Sequence, residues 1–478
     1  EELEDIREQL SKYYIDRGYT NSGAIIPDQN IENGIITILI IEGKIGDMKI
    51  SGNEWLRTKY IRNKLQFAVD KKNNKKKAFN ISELEEKLKL LKQNKLIKSI
   101  NANIKPGFKQ GEANLHIFIK EERPYGLTLR YDNYASTGIG SYQGEIFFTH
   151  DNFTGWGDSV AANFKKTRGS DTISFDYALP VTIWDTRVFF NYSESGSQVI
   201  SEPFDILKIQ NKAKTIGCGI KHPLYKTLSR EFIAGLKLEK TYTETFLLGV
   251  PYSFTKHPDD FDTDTSILSF SQEYITKSIT QVFAINSDIK FGIDWSGSTV
   301  HKEKDSDGQD YADSKFTTWL LQMQWLKRFS FLNSSLLFKT DFQISDDPLL
   351  SQEQFSIGGV STVRGYTENF MTTDNGLVSS VEWRIPLFIL QIPKLSTTET
   401  DGIIEVSPFL DYGIGWNVHG DKSGAEDISS IGTGLRWNIN ENIYTLIYYG
   451  YGLRHIEKSG ENTLQDKGIH FEISIKFF

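Results

Sequence analysis

Residues 468–477 alternate without interruption. Ile469, Phe471, Ile473, Ile475 and Phe477 stand between Gly468, His470, Glu472, Ser474 and Lys476. A period of two sends successive side chains to opposite faces of an extended strand, here one apolar and one polar. Ile431, Thr433, Leu435, Trp437 and Ile439 repeat the pattern against Gly432, Gly434, Arg436 and Asn438. Thr317, Trp319, Leu321, Met323 and Trp325 line one face of another such stretch. From Tyr125 onward nothing has helical periodicity. About sixteen alternating segments follow, centred near residues 129, 146, 161, 176, 190, 218, 236, 270, 288, 321, 339, 382, 410, 435, 449 and 473.

The connections decide the architecture. After the second, fourth, sixth, eighth, tenth and fourteenth segments they are short, as in Phe153-Thr154-Gly155-Trp156-Gly157 or Asn440-Glu441-Asn442. After odd-numbered segments they are often long and polar, as in 193–211 and 296–314. The turn at 393–402, after the twelfth, is the exception. Short turns on one side and long loops on the other mark an outer-membrane barrel. A soluble propeller or a stack of sandwiches has no reason to keep that parity. Segments of roughly ten residues cross a bilayer at a tilt, and closure leaves no backbone group unpaired in lipid. The predicted fold is mainly β, with a 16-stranded antiparallel transmembrane barrel over 123–478 whose two ends lie on the periplasmic side.

Composition agrees once the alternation is recognised. A mean hydropathy of −0.38 averages lipid-facing and lumen-facing residues. The chain has 38 Gly, 21 Tyr, 31 Phe and 9 Trp against 12 Pro and 3 Met, a supply of turn residues and aromatics that suits a barrel. No apolar run reaches about eighteen residues, so no transmembrane helix is expected. A net charge of −8 with mixed signs argues against nucleic-acid binding. Cys218, the single cysteine, excludes an intramolecular disulfide or a cysteine-rich metal site. The opening Glu-Glu-Leu-Glu shows no signal peptide, as expected of a mature or trimmed chain.

Residues 1–122 read differently. Leu3, Ile6, Leu10 and Tyr13 or Tyr14 recur at helical spacing as far as Arg17-Gly18-Tyr19, a helix stop. A strand pair follows, near 28–31 and 35–42, and a second unit opens at 49–52. There, Ile81, Leu84, Leu88 and Leu91 form one face of a helix behind Asn80, with Ser82 and Glu85 at capping-box spacing. Strands near 100–104 and 113–119 close the unit. The expectation is two small α+β modules, 1–45 and 46–122, the first lacking its opening strand. The basic run at 71–77 reads as a solvated loop or, more pointedly, a membrane or partner contact. Glu121-Glu122-Arg123-Pro124 is the hinge into the barrel.

The sequence carries no recognisable catalytic signature. The histidines form no HxxxH or HExxH, no GxSxG exists, and Gly138-Ile139-Gly140 lacks the rest of a dinucleotide fingerprint. The Asp305-Ser306-Asp307-Gly308 run has no calcium-loop glutamate. No enzymatic activity, cofactor or metal is expected.

The informative segment joins the eleventh and twelfth strands, at about 352–375: Phe355-Ser356-Ile357-Gly358-Gly359-Val360-Ser361-Thr362-Val363-Arg364-Gly365-Tyr366. Parity makes it extracellular, yet it is glycine-rich and apolar with one arginine, which suits a loop folded back into the barrel. Val363-Arg364-Gly365-Tyr366 resembles the VRG(Y/F) tip of the sixth loop in polypeptide-transporting outer-membrane proteins. The Phe-x-x-Gly-Gly before it and Glu368-Asn369 after it fit as well. Phe409-Leu410-Asp411-Tyr412-Gly413 resembles that superfamily's F-x-D-x-G segment on strand thirteen, and period two turns Asp411 and Gly413 to the lumen. The resemblance implies that Arg364 pairs with Asp411 on the inner wall, where a guanidinium can be held by two bonds. It also implies that Phe478 is the C-terminal barrel signal.

Within the superfamily the two-partner secretion transporters (TpsB proteins) match best. Arg17-Gly18-Tyr19, Ile26-Pro27-Asp28-Gln29 and Ile41-Glu42-Gly43-Lys44-Ile45 resemble their first POTRA domain, and Ile50-Ser51-Gly52-Asn53 the opening of the second. Asp151-Asn152-Phe153-Thr154-Gly155-Trp156-Gly157-Asp158 resembles their first periplasmic turn. The resemblance spans nearly the whole chain, although the family's plug helix, linker and first POTRA strand have no counterpart in it. It implies a bacterial outer-membrane protein with periplasmic POTRA domains. Such a protein binds an unfolded secreted partner and passes it through the barrel without ATP. The implied partner is a large β-helical exoprotein such as an adhesin, a haemolysin or a contact-dependent toxin. Outer-membrane lipid and periplasmic chaperones are the further partners expected, and nucleic acid is not. A barrel-assembly factor and a small-solute porin are the alternative readings.

Overall fold

The computed structural model describes residues 1–478 apart from 32–33, 66–77, 255–256, 258–259, 305–307, 419–425 and 455–462. The basic run at 71–77 and most of the 305–308 run therefore lie outside the described residues. The chain forms two compact units. One is Glu1–Pro124 with the strand connections Asp151–Asp158 and Thr182–Trp184, and the other is the remainder.

In the second unit sixteen long antiparallel strands close into a barrel, from Tyr125–Asp132 to Ile469–Lys476, and each predicted segment centre lies in a different strand. The short piece Val250–Pro251 adds a rung to the end of the seventh. Burial follows the alternation. On the thirteenth strand, Ile403–Trp416, Phe409, Asp411, Gly413 and Gly415 are buried while Pro408, Leu410 and Tyr412 are exposed. The exposed side is apolar all round the wall, with Ile146, Phe175, Leu236, Trp319 and Ile447 among its residues, because lipid is its solvent. The lumenal side carries the charge: Arg130 reaches Glu145 at 2.7 Å and Glu472 at 3.1 Å, and Lys290 reaches Glu353 at 2.8 Å.

The fifth and sixth strands run on where a loop was expected at 193–211. Arg187–Gln198 and Gln210–Lys226 stay paired up to Gln198↔Gln210, leaving only 199–209 as connection. Ser193, Ser195, Gly196 and Ser197 give no apolar alternation there. The ladder needs only backbone groups, so it continues beyond the point where the pattern stops.

Closure uses the shortest ladder of the wall, five residue pairs from Thr128↔Lys476 to Asp132↔Glu472. The Asn133 side chain lengthens it. Its Nδ2 donates to Ile469 O at 2.9 Å and its Oδ1 accepts from Phe471 N at 2.7 Å, as a further backbone rung would.

In the first unit, Lys44–Ser51 runs parallel to Glu112–Glu121, which pairs antiparallel with Ile97–Pro106. Two helices, Thr58–Leu65 and Ile81–Lys92, place Ile61, Leu65, Leu84 and Leu91 against Leu115, Ile117 and Ile119. The first of these helices was not foreseen, because it is short and five of its eight residues are polar or basic. The second begins at Asn80, whose side chain accepts from Ser82 N at 2.9 Å. Asn80 is therefore the cap, and Ser82 lies inside the first turn. At the N-terminus, helix Glu2–Ile15 precedes a two-stranded sheet of Gly23–Ile25 with Leu39–Ile41. The strand expected near 28–31 does not form. Pro27 has no N–H to give to a ladder, and the Gln29 side chain bonds Thr37 N and O at 2.7 and 2.8 Å instead.

Candidate functional site

The eleventh strand ends at Ser345 and the twelfth begins at Asn375. Between them, Phe355–Ile357 and Met371–Thr373 pair as a small hairpin. Its far end buries Val363 and Ile357 completely, beside Val378 and Ile428 of the wall. The wall has no side chains where the loop lies closest. A Cβ on Gly413 would stand 2.6 Å from Ile357 Cγ2 and 2.9 Å from Val363 Cγ2, and one on Gly450 would stand 2.6 Å from Gly365 N. Gly365 itself has φ +92° and could carry no Cβ within 2.8 Å of the Gly450 carbonyl. Loop tip and fifteenth strand thus meet backbone to backbone.

Arg364 is the polar centre of this contact. Its Nε and Nη2 reach Asp411 Oδ2 and Oδ1, both at 2.8 Å, and its backbone N–H adds a third bond to Oδ2 at 3.0 Å. Nη1 donates to Glu382 Oε2, and Nη2 also donates to Ser380 Oγ at 2.9 Å. The guanidinium lies over the Phe409 ring, 3.6 Å from its centroid, with Tyr448 at 4.7 Å. Tyr448 Oη donates to Glu382 at 3.0 Å, and Arg384 Nε does so at 2.7 Å. Two arginines therefore face two carboxylates, and the group balances in charge. Attraction from Asp411 and Glu382 outweighs burial and holds the Arg364 guanidinium firmly protonated.

The other residues singled out in the sequence fall around this centre. Gly413 lies beneath Ile357 and Val363 rather than beside the guanidinium. Tyr366 donates its hydroxyl to Ser429 O at 3.1 Å and accepts from Arg454 N at 3.1 Å. Phe478 packs edge-on against Tyr125 of the first strand, with centroids 5.4 Å apart. Sequence reasoning missed Glu382, Ser380, Arg384 and Tyr448. Glu368, read from the sequence only as part of the loop motif, lies in the loop and not in a spanning strand, and its carboxylate accepts from Val360 N at 2.7 Å. Burial pushes that carboxyl up to about 7. The Glu368 N–H donates to Gln465 Oε1 at 3.0 Å, tying the loop to the turn before the last strand.

Residues 111–437 match the family described as haemolysin secretion/activation protein ShlB/FhaC/HecB, and residues 1–43 match a POTRA domain of ShlB type. The chain belongs to the ShlB/FhaC/HecB family. It is an outer-membrane transporter of secreted proteins of the TpsB type, with the periplasmic N-terminal POTRA region of that family. Similar proteins include the heme/hemopexin transporter protein HuxB of Haemophilus influenzae strain 86-028NP, 23% identical over 463 residues, covering 91% of this chain and 75% of that protein. Another is the outer membrane transporter CdiB of Dickeya dadantii strain 3937, 19% identical over 403 residues, covering 81% and 68%. CdiB from Escherichia coli superimposes with a TM-score of 0.71 at 18% identity, over 99% of this chain and 84% of that one. BamA from Haemophilus ducreyi lacking POTRA domains 1-3 gives 0.63 at 14% identity, over 100% and 93%. At those identities the likeness of the structures is one of fold.

Proposed function

We propose that this transporter carries a single class of large secreted β-helical exoprotein, unfolded, through its own barrel, with the loop around Arg364 as the element that must move. The arginine-centred contact with Asp411 and Glu382 is the observation that supports this reading. It holds a loop across the lumen through polar bonds that water can replace once the loop leaves. The chain does no covalent chemistry in this scheme, and no ATP takes part. Folding of the exoprotein outside buries apolar surface and makes return unfavourable, which supplies direction. The relatives named above are a heme/hemopexin transporter protein and an outer membrane transporter, and an adhesin, a haemolysin or a contact-dependent toxin is the cargo this reading favours.

Capture would occur in the periplasm. Leu39–Ile41 pairs with Gly23–Ile25 on one side only among the described residues, and beside it lies a cleft of about 450 Å³ lined by Tyr14, Ile40, Glu42, Lys44 and Gly111. An extended segment of the exoprotein could add to that edge, with backbone bonds giving affinity and the cleft taking side chains. The test is calorimetric titration of the full chain, and of the chain without residues 1–43, with the N-terminal domain of the exoprotein encoded beside the transporter. Binding should vanish with the deletion. Equal affinity for both proteins would refute capture at this edge. Deleting 356–373 should separately raise single-channel conductance, and an unchanged conductance would mean that the loop does not obstruct the lumen.

A further inference from the structure

Two long loops meet at the exterior end of the barrel, away from the arginine site. One follows the seventh strand, Arg230–Leu247, and the other the ninth, Gln281–Gly292. The first loop supplies His257 and Asp260, and the second supplies His301. His301 Nε2 lies 2.9 Å from Asp260 Oδ1, and His257 Nδ1 lies 3.8 Å from the same oxygen. The imidazoles face each other with centroids 3.8 Å apart and planes tilted by 21°. One donor atom from each of the three residues falls within 4.8 Å of the other two. Tyr311 stands edge-on to both rings, at 5.0 and 5.7 Å, and covers them.

The cluster is enclosed. The Asp260 side chain is 1% exposed and that of His301 is 9% exposed. Among the described residues His301 Nε2, although close to Asp260, has no hydrogen-bond partner. The backbone that carries it is fixed independently. Thr299 N donates to Asp264 O at 2.7 Å, Ser314 N to Thr299 O at 2.9 Å, and His301 N to the Asp313 carboxylate at 2.9 Å. Two nitrogen donors and one carboxylate thus converge from two loops as a donor set of the kind that holds a metal ion.

We propose that His257, Asp260 and His301 bind a divalent transition metal of the zinc class and so clip these two surface loops together. Imidazole and carboxylate are donors that such ions accept, and three protein ligands leave a fourth position for water or for a group on a passing chain. Bond lengths of about 2.0–2.1 Å put tetrahedral donors roughly 3.3 Å apart. The Asp260–His301 gap must open by a few tenths of an ångström, the His257–Asp260 gap must close by about half an ångström, and the rings must splay from their 21° tilt. Side-chain torsions can make these moves while the backbone bonds of the second loop stay in place.

The test uses the full chain in detergent, without a histidine tag and stripped by a chelator, titrated with zinc chloride by calorimetry. One site per chain is expected. His257→Ala, Asp260→Asn and His301→Ala should each lower its affinity by at least about tenfold. Cobalt chloride should give the strong visible bands of a four-coordinate ion, and each variant should lose them. Heat-modifiability on gels checks that the variant barrels are folded. Absence of stoichiometric zinc uptake, or uptake and cobalt bands that survive in either histidine variant, overturns the proposal.

Discussion

Arg364→Ala should release the lumenal loop and leave the barrel wall intact. The guanidinium is 5% exposed, and its partners Asp411 and Glu382 are 0% and 5% exposed. Glu382 keeps Arg384 and Tyr448 after the change, whereas Asp411 loses the two guanidinium bonds and keeps the Ser380 hydroxyl at 2.6 Å and the backbone N–H of residue 364. Breaking a buried pair costs about 3–5 kcal/mol, against about 0.2–1 kcal/mol for an exposed one. The burial places this pair at the upper end, above what a water-filled lumen would give. Loss of the cation over Phe409 adds about 0.5–2 kcal/mol. The destabilisation exists only while the loop is docked, because departure admits water to Asp411. Docking should therefore weaken by roughly two and a half to five powers of ten. In planar bilayers the variant should dwell far longer in high-conductance states, with normal heat-modifiability because no strand pairing runs through Arg364. Arg364→Lys should not restore it, since an ammonium offers neither the two-pronged bond nor the flat face over the ring. The double variant with Asp411→Ala should be no worse than the worse single. Wild-type conductance in Arg364→Ala, or losses that multiply in the double variant, would refute a holding role for the pair.

Gly450→Ala should mimic this more mildly, because its Cβ would stand 2.6 Å from Gly365 N and overpacking costs about 1–3 kcal/mol; conductance should rise by less than in Arg364→Ala. Asn133→Ala removes two side-chain rungs at the seam, each worth about 0.5–1.5 kcal/mol, so gel heat-modifiability should set in at a lower temperature, and an unchanged temperature would deny the seam its side-chain extension. The Glu368 carboxyl, raised from 4.5 to about 7 in the docked loop, favours docking when protonated. That contribution, at most about 3 kcal/mol, is complete below pH 4.5 and lost as pH rises through 7. Conductance should thus increase from about pH 5 to about pH 8 in the wild type, and Glu368→Gln should flatten the profile.

The wall was legible because one face of every spanning strand must suit lipid, which forces the alternation seen in Ile469 to Phe477. Where lipid ends, so does the signal, and Arg187–Gln198 ran on as strand through Ser193, Ser195 and Ser197 without any apolar partner pattern to announce it. The N-terminal sheet was harder to read for a local reason. Ile25 and Ile31 look equally strand-like, and the choice between them rests on Pro27 and on a Gln29–Thr37 bond that joins residues eight apart. Helix Thr58–Leu65 was missed because Tyr60, Ile61 and Leu65 are its only buried residues.

At the arginine site, the loop motif and Asp411 were legible through resemblance, and the remaining residues needed the register. Strand twelve meets strand thirteen with Ser380 opposite Asp411 and Glu382 opposite Phe409, so three polar groups and one ring gather on one lumenal patch. A sign of this existed in the sequence: Glu382 and Arg384 alternate with the outward Val381 and Trp383, and charges at that period belong inside the barrel. The next two strands then make room. Phe409 lies opposite Gly432 and Tyr448 opposite Gly434, and a Cβ on either glycine would come within 2.4 Å of the aromatic ring it faces. The rings can therefore lie flat enough for Arg364 to rest over one of them. A loop held only by apolar burial would lose that energy outright on leaving. Here both the arginine and its carboxylates regain water when they part, so the net holding energy is smaller than the bonds suggest. That difference suits a loop that must stay docked at rest and yield to a passing chain.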